Sequence, residues 1–456
     1  MFNKILIANR GEIAVRAIRA CRELGIRTVA IYEPEDADSL HVGMADEAVE
    51  LKHPEPPEGV IVTRQSAYLW HYGIIAAGHS MGAEAIYPGY GYLSENPFFA
   101  EACERSSLVW IGPRSDILMY LSDKATARQL AVQTGLPVVP GSNGPVGNHE
   151  AIGIANEIGY PVMVKAARGG GGRGIRVARN EVDLLRALSQ ARNEAQSAFG
   201  SDQVYVEKQI PSPRHIEVQV LGDSYGHVIH LGERECSIQT PRHQKVIEES
   251  PANISPRLRR QICQAAVKLA EAIGYTNAGT VEFLVDGNGR FYFLEINTRI
   301  QVEHPVTEAV TGFDLVEAQI RIAAGEEFGS SWPGIIESHG HAIELRVTAQ
   351  DVVGGFTPAT GIIYTLELPK GKGIRIDTHL SPGFRVSSVY DPLLAKLIVH
   401  AGSRPLAIKL AERALRDMDI DGVTTMLPFL RAMMGYGPFR RREGINTAFL
   451  HECLRL

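Results

Sequence analysis

Glu282, Glu295 and Asn297 sit where the chain predicts a β-hairpin, and their spacing sets two carboxylates against each other. The run from Thr280 to Asn297 holds two apolar, β-branched and aromatic segments around Asn288-Gly289, a dipeptide that favours a tight hairpin turn. With Asn288 and Gly289 as the loop, Gly287 pairs with Arg290. Counting outwards brings Glu282 opposite Glu295, with Asn297 two residues on along the same face. Like charges in that position repel across about 5 Å between Cβ atoms. A divalent cation removes the repulsion, and two carboxylates with an amide oxygen suit Mg²⁺. This reads as the metal site of an enzyme that handles a nucleoside triphosphate. An exposed hairpin edge with both glutamates solvated fits the same pattern. Behind the strand, Arg299, Gln301, Glu303 and His304 follow in a polar segment ending at Pro305. Arg299 and Glu303, four residues apart, form either a plain ion pair or, beside a phosphate-transfer centre, a group that binds an anion and takes its proton.

Positioning these residues requires a long α/β framework. Lys4–Ala8, Thr28–Tyr32, Glu84–Tyr87 and Leu108–Gly112 read as strands, and Glu12–Leu24 as a helix stopped by Gly25, which together predict a parallel, doubly wound sheet. Glu33 falls where a dinucleotide fold places an acid, but only Gly11 stands where that fingerprint needs three glycines, so NAD binding is rejected. The loop Tyr87–Glu95 reads as a pocket wall or a rigid turn. A smaller α/β unit runs from about 150 to 209. In it Tyr160–Lys165 is a strand ending in lysine, and Arg168 to Gly174 is a glycine-rich turn before the strand Ile175–Ala178. Glycines let backbone N–H groups approach phosphate closely, with Lys165 and Arg173 adding charge; a merely flexible loop is the alternative. Arg214–Val220 alternates polar and apolar residues, so His215, Glu217 and Gln219 share one face, ordinarily the solvated one. Cys236–Val246 reads as a basic loop, Pro256–Ile273 as a helix, Gly340–Val347 and Gly361–Leu368 as strands, and Pro405–Asp417 as a helix in a mixed α+β third region.

At 456 residues the chain exceeds one ordinary domain, and 45% hydrophobic with 21% charged residues predicts globular structure throughout. A net charge of −6 argues against a general nucleic-acid binder, and no apolar run reaches the roughly 20 residues of a membrane span. Five scattered cysteines without a Cys-x-x-Cys pair, and an N-terminus that enters a strand at once, predict a reduced cytoplasmic protein without structural zinc.

Taken together, Ile7-Ala-Asn-Arg-Gly-Glu-Ile13, Tyr87-Pro-Gly-Tyr-Gly-Tyr-Leu-Ser-Glu-Asn96, Gly169-Gly-Gly-Gly-Arg-Gly174, Arg242-His-Gln-Lys-Val246 and Glu295-Ile-Asn-Thr-Arg-Ile-Gln-Val-Glu-His-Pro-Val-Thr-Glu308 closely resemble the biotin carboxylases. The resemblance covers essentially residues 2 to 452 in order, and the last motif is highly specific. It implies an N-terminal α/β domain (1–122), an ATP-grasp domain with a glycine-rich lid (123–334, lid about 136–208) and a C-terminal α+β domain (335–456). It implies ATP binding by Lys124, Lys165, Gly171, Gly172, Glu207, Lys208, Ile210, His215 and His243 with Glu282 and Glu295, and Mg²⁺ or Mn²⁺ on Glu282, Glu295 and Asn297. Bicarbonate falls to Lys245, Arg299, Gln301 and Val302, the general base is Glu303, and Arg346 and Tyr90 face biotin, Arg346 stabilising its enolate.

The implied chemistry suits these residue types. Bicarbonate is a poor electrophile, and phosphoryl transfer from ATP activates it as carboxyphosphate through positioning and charge neutralisation. Carboxyphosphate yields CO₂ and phosphate, and phosphate can deprotonate the ureido nitrogen of biotin. Three departures from the family pattern stand out. Thr240-Pro241 lengthens the basic loop by one residue and leaves the contact of Gln239 open, Arg168 replaces a glycine, and Thr348-Ala-Gln-Asp-Val352 replaces Asn-Ala-Glu-Asp-Pro. No Met-Lys-Met biotin-attachment context occurs and no carboxyltransferase domain fits the length, so the resemblance implies a biotin carboxyl carrier protein and a carboxyltransferase on separate chains. It also implies a homodimer, for which Arg19 and Glu23 lie on one helix face, and an acyl-CoA carboxylase is the favoured context. The competing readings are an ATP-grasp ligase for another small molecule and a non-catalytic subunit.

Overall fold

The computed structural model describes residues 1–52, 66–167, 175–328 and 337–454. Five parallel strands open the chain: Lys4–Ile7 (β1), Arg27–Tyr32 (β2), Glu47–Glu50 (β3), Ala85–Tyr87 (β4) and Val109–Trp110 (β5), in spatial order β3-β2-β1-β4-β5. Of these β3 has no signal in the sequence, because Glu-Ala-Val-Glu offers a strand pattern only two apolar residues. The helix Gly11–Glu23 buries Ile13, Ala17, Ala20 and Cys21 against the sheet, and Gly25, at a φ of +72°, turns the chain out of it. Strand order reverses between β1 and β4, where a doubly wound sheet leaves a crevice. Asn9 Nδ2 closes that crevice by donating to the carbonyls of Pro88 at 2.6 Å and Tyr90 at 2.8 Å. Glu33 accepts from Ser66 Oγ at 3.2 Å and from the Tyr390 hydroxyl at 2.7 Å. The acid that imitates a ribose ligand therefore anchors the C-terminal region.

A three-stranded antiparallel sheet follows, from Val162–Ala166 (β6), Arg176–Ala178 (β7) and Val204–Lys208 (β8) in the order β7-β6-β8, backed by the helices Asn148–Ile158 and Glu181–Phe199. The glycine-rich turn, with Arg168, Gly171, Gly172 and Arg173, falls between β6 and β7 and lies outside the described residues.

The site is carried by an eight-stranded antiparallel sheet. Its strands are Arg214–Gly222 (β9), Val228–Gln239 (β10), Lys245–Ser250 (β11), Asn277–Val285 (β12), Phe291–Asn297 (β13), His341–Thr348 (β14), Ile374–Thr378 (β15) and Leu393–Ala401 (β16). They lie in the order β13-β12-β9-β10-β11-β14-β16-β15, so the C-terminal strands extend the same sheet that holds the hairpin. On one face Ile216, Val218, Val220 and Phe283 pack against Ile262, Ala266 and Leu269 of the helix Pro256–Ala272.

Four local expectations need correction. The hairpin pairs Asp286, not Gly287, with Arg290, through Asp286 N to Arg290 O at 2.9 Å, and Gly289 takes a φ of +76° in a three-residue loop. A register shift between Glu282 and Phe283 then restores the expected alignment, so Glu282 still faces Glu295. The face of His215, Glu217 and Gln219 is buried rather than solvated, because β9 lies inside the sheet and Gln239, Lys245 and Arg234 from the next two strands fold over it. Arg234 is tied in turn to Thr307 of the helix His304–Thr311. Cys236 to Gln239 belong to β10 and Lys245 opens β11, which reduces the basic loop to residues 240–244. Gly361–Leu368 splits into Gly361–Ile362 and Thr365–Glu367, which pair with different strands, Arg385–Val386 and Asp419–Asp421.

Candidate active site

Strand order builds a row of charge that the hairpin alone does not contain. Glu282 of β12 faces Glu295 of β13 on one side and Glu217 of β9 on the other, and Glu217 faces Arg234 of β10. Three carboxylates in a row repel unless cations are interleaved. Lys245, at the start of β11, places its ammonium 2.7 Å from Glu217, 3.0 Å from Glu282 and 2.6 Å from Glu303. Burial alone would lower its pKa, but these carboxylates outweigh burial and hold it well above the ordinary lysine value. Arg234, fully buried, bonds Glu217 at 2.5 Å, Gln219 at 2.8 Å and Thr307 at 2.9 Å. His215 Nε2 lies 2.9 Å from Glu282, and Gln239 Nε2 lies 2.9 Å from His215 Nδ1. Gln239 thus orients His215 despite the longer loop beside it. Lys124, at the N-terminus of the helix Lys124–Gln133, meets Glu295 at 2.7 Å, and that charge raises its pKa.

The donors expected for a metal fit one. Glu282 and Glu295 present carboxylates from adjacent strands, and Asn297 Nδ2 donates to Glu282 at 2.9 Å. Asn297 Oδ1 accepts one bond, from Arg299 at 3.2 Å, which leaves a lone pair. Hard oxygens of this kind suit Mg²⁺ or Mn²⁺. Of the two readings of Arg299 and Glu303, the plain ion pair does not form. Arg299 bonds Glu95 at 3.1 Å and Gln301 Oε1 at 2.8 Å, while Gln301 Nε2 donates to Glu282 at 3.2 Å.

Glu303 is wholly buried between cations. Its two oxygens accept from Lys245 at 2.6 Å and Arg346 at 2.8 Å, with the Cys236 thiol 3.8 Å away. Burial would raise this carboxyl, but Lys245, Arg346 and Arg234 hold it well below the ordinary range. Arg346 also donates to Glu248 at 2.6 Å. Burial pushes Glu248 up to about 7, against the pull of Arg346. Val302 is half-buried, and Lys396 occupies its carbonyl at 3.0 Å. The Tyr90 hydroxyl donates to Glu12 and lies within electrostatic reach of Arg346.

On the lid side, Lys165 bonds Glu207 at 2.6 Å, and Arg128 braces the other Glu207 oxygen at 3.0 Å. Lys208 turns to the carbonyls of Gly159 and Tyr160 at 2.9 and 3.0 Å, and Ile210 is half-buried just beyond β8. His243 stands exposed on the 240–244 loop, at a φ of +62°, within electrostatic reach of Lys165. Gly171 and Gly172 lie outside the described residues. The site therefore gathers two clusters, one around Lys245 and one around Glu207. Sequence reasoning gave no role to Glu217, Arg234, Glu95, Glu248, Arg128 or Lys396. Glu217 had a signal in its place beside His215 in the alternation, and Glu95 in the loop read as a pocket wall.

Comparison with known proteins matches three family models along the chain. They are the biotin carboxylase N-terminal domain over residues 1–118, the carbamoyl-phosphate synthase L chain ATP-binding domain over 123–330 and the biotin carboxylase C-terminal domain over 344–452. Biotin carboxylase 1 of Bacillus subtilis is 48% identical over 453 residues, 99% of this chain and 98% of its own. A pyruvate carboxylase subunit from Methanothermobacter thermautotrophicus is 48% identical over 457 residues, 100% of this chain and 91% of its own. Among solved structures, the biotin carboxylase domain dimer of the Hydrogenobacter thermophilus 2-oxoglutarate carboxylase, in complex with MgADP, ADP and bicarbonate, superposes with a TM-score of 0.93 at 46% identity, covering 100% of this chain and 98% of that one.

Proposed function

As a member of the biotin carboxylase family, this chain is an ATP-dependent ligase that carboxylates biotin with bicarbonate, and we propose the following roles for its residues. The observation that carries the assignment is the buried ammonium of Lys245 among Glu217, Glu282 and Glu303, with Arg346 on the far side of Glu303. Such a site holds its cations ready, paired with carboxylates, until anionic substrates take their place.

ATP lies between the lid and the central sheet, its phosphates met by Lys124, Lys165, His243 and the backbone of Gly171 and Gly172, with Glu207, Lys208, Ile210 and His215 completing the pocket. Glu282, Glu295 and Asn297 would hold Mg²⁺ or Mn²⁺, which when bound neutralises the polyphosphate charge. Arg299, Gln301, Lys245 and the Val302 backbone bind bicarbonate. Glu303 is an anion at neutral pH and takes the bicarbonate proton. Its basicity rises as Lys245 turns to bicarbonate and Arg346 to biotin, because the charges that depress its pKa are then shared. Bicarbonate oxygen attacks the γ-phosphorus, ADP leaves, and carboxyphosphate breaks down to CO₂ and phosphate. Phosphate removes the ureido proton of biotin, and the enolate oxygen that forms faces Arg346 while nitrogen attacks CO₂. Tyr90 offers the biotin a ring rather than a hydroxyl, since Glu12 already takes the hydroxyl.

The biotin substrate arrives on a separate carrier protein, and a separate carboxyltransferase chooses the acceptor; a homodimer is the working assembly. Among the described residues no helix is long and apolar enough to cross a membrane, and all five cysteines are free thiols, which supports a reducing cytoplasmic setting. The test is phosphate release from MgATP by the purified chain. Turnover should require bicarbonate and rise with free biotin, and Arg346→Ala should lose the biotin stimulation. Turnover indifferent to biotin would overturn this reading.

A further inference from the structure

The turn that carries Glu303 hangs between β13 and the helix His304–Thr311, and no strand ladder holds it. Side chains take its carbonyls instead. Arg299 Nη1 donates to Ile300 O at 3.2 Å, His304 Nδ1 lies 2.8 Å from Gln301 O, and Lys396 Nζ donates to Val302 O at 3.0 Å. The first two belong to the segment they hold. Lys396 comes from β16, 94 residues later. Its side chain is fully buried, with the ammonium 3.1 Å from Glu12 Oε1 and 3.8 Å from Asp377 Oδ2. In register it lies opposite Arg346 on one side and Asp377 on the other. Glu12, in the first turn of the helix Gly11–Glu23, receives the Tyr90 hydroxyl on the same oxygen.

Burying an ammonium is costly, and an apolar side chain of similar volume commonly stabilises a core as well or better. A lysine offers three N–H donors and no acceptor. Here they address one carbonyl and two carboxylates that come from three separate regions of the chain. We infer that Lys396 is a positioning residue for the bicarbonate-activating turn. It fixes the peptide plane between Val302 and Glu303 from beneath and, through Glu12, ties that turn to Tyr90 on the biotin side.

This inference rests on the proposed function, and its test separates the two. Lys396→Met alone leaves Glu12 without its cation and is prone to misfold. The informative variant is the double Glu12→Gln, Lys396→Met. It removes the orphaned carboxylate and keeps an acceptor for Tyr90, while Asp377 retains Arg375 at 2.7 Å. The Val302 carbonyl then loses its hydrogen-bond donor, and the buried Asp377 and Glu344 lose the nearby charge of Lys396. Thermal unfolding, MgATP affinity and steady-state turnover against bicarbonate and biotin are measured for this variant and the wild type. The expected result is a folded protein with a somewhat lower Tm and ATP affinity close to wild type, with kcat down about 10–100-fold or a matching rise in KM for bicarbonate, as a misplaced reacting group produces. Wild-type turnover in a folded double variant would overturn the inference, as would ATP affinity falling in step with kcat. A wild-type enzyme indifferent to bicarbonate and biotin would instead sink the proposed function.

Discussion

Glu303→Gln separates the chemical role of this side chain from its structural one. One Glu303 oxygen accepts from Lys245 at 2.6 Å and the other from Arg346 at 2.8 Å. An amide keeps one oxygen and sets an NH₂ group against the second cation, so one charge-assisted bond is lost, a cost of about 1.5–3 kcal/mol. For a unit of 150–250 residues that corresponds to a Tm lower by roughly 3–12 °C. Removing a positioned base should cost about 10²–10⁴ in rate, or ~2.7–5.4 kcal/mol of barrier. The assay is bicarbonate-dependent phosphate release and carboxybiotin formation, with nucleotide affinity titrated separately. Turnover should collapse while nucleotide affinity holds, because Lys124 and Lys165 do not touch Glu303. Since its cationic neighbours hold Glu303 below the ordinary carboxylate range in the free enzyme, it should contribute no inflection to the wild-type kcat/KM profile above about pH 4.5. Retained turnover in the variant would refute its role as base, and so would a parallel loss of nucleotide affinity.

Arg234→Met should lower the Tm sharply, since stranding a buried partner such as Glu217 costs about 3–5 kcal/mol; an unchanged Tm would contradict the ion-pair row. Glu207→Gln should leave Lys165 and Arg128 less firmly positioned and raise the KM for ATP roughly tenfold or more with less effect on kcat, as expected for one charge-assisted bond; steady-state kinetics against ATP checks it. Burial lowers the imidazole of His41 to about 4 and of His379 to about 3, whereas unfolded histidine titrates near 6.5. The unfolded chain therefore takes up those protons first, and the stability the neutral rings contribute, complete above about pH 6.5, falls away as pH drops towards 4. Calorimetry from pH 7 to 4.5 should show the Tm falling, with a shallower slope in His379→Asn; a flat wild-type profile counts against buried neutral histidines. Chelation of Mg²⁺ and Mn²⁺ should abolish turnover yet leave the Tm of the nucleotide-free protein unchanged, because Lys124 and Lys245 already neutralise Glu295 and Glu282.

Much of the site was legible because its signals are local. Asn288-Gly289 between two apolar runs identified the hairpin, and period-two alternation put Glu282 opposite Glu295. That alignment survived a wrong turn assignment, because the three-residue loop and the register shift near Glu282 cancel. The resemblance carried by the motif from Glu295 to Glu308 supplied the remaining roles. Alternation also placed His215, Glu217 and Gln219 on one face, but it cannot say whether another element covers that face. That face is covered by Arg234, Gln239 and Lys245, side chains of other strands brought beside β9 by the sheet order.

By itself, then, the sequence determined the hairpin, most of the parallel strands and the first helix, the facing carboxylates and the family, since each depends on residues within one element or one contiguous motif. Only the tertiary structure decided which charges meet. Glu217 joins Glu282 because β9 pairs with β12, and Arg346 reaches Glu303 because β14 pairs with β11. Arg299 turns to Glu95 of the N-terminal loop rather than to Glu303, four residues away. Electrostatic partners are chosen by distance through space, which strand order and buried cover fix and spacing along the chain does not.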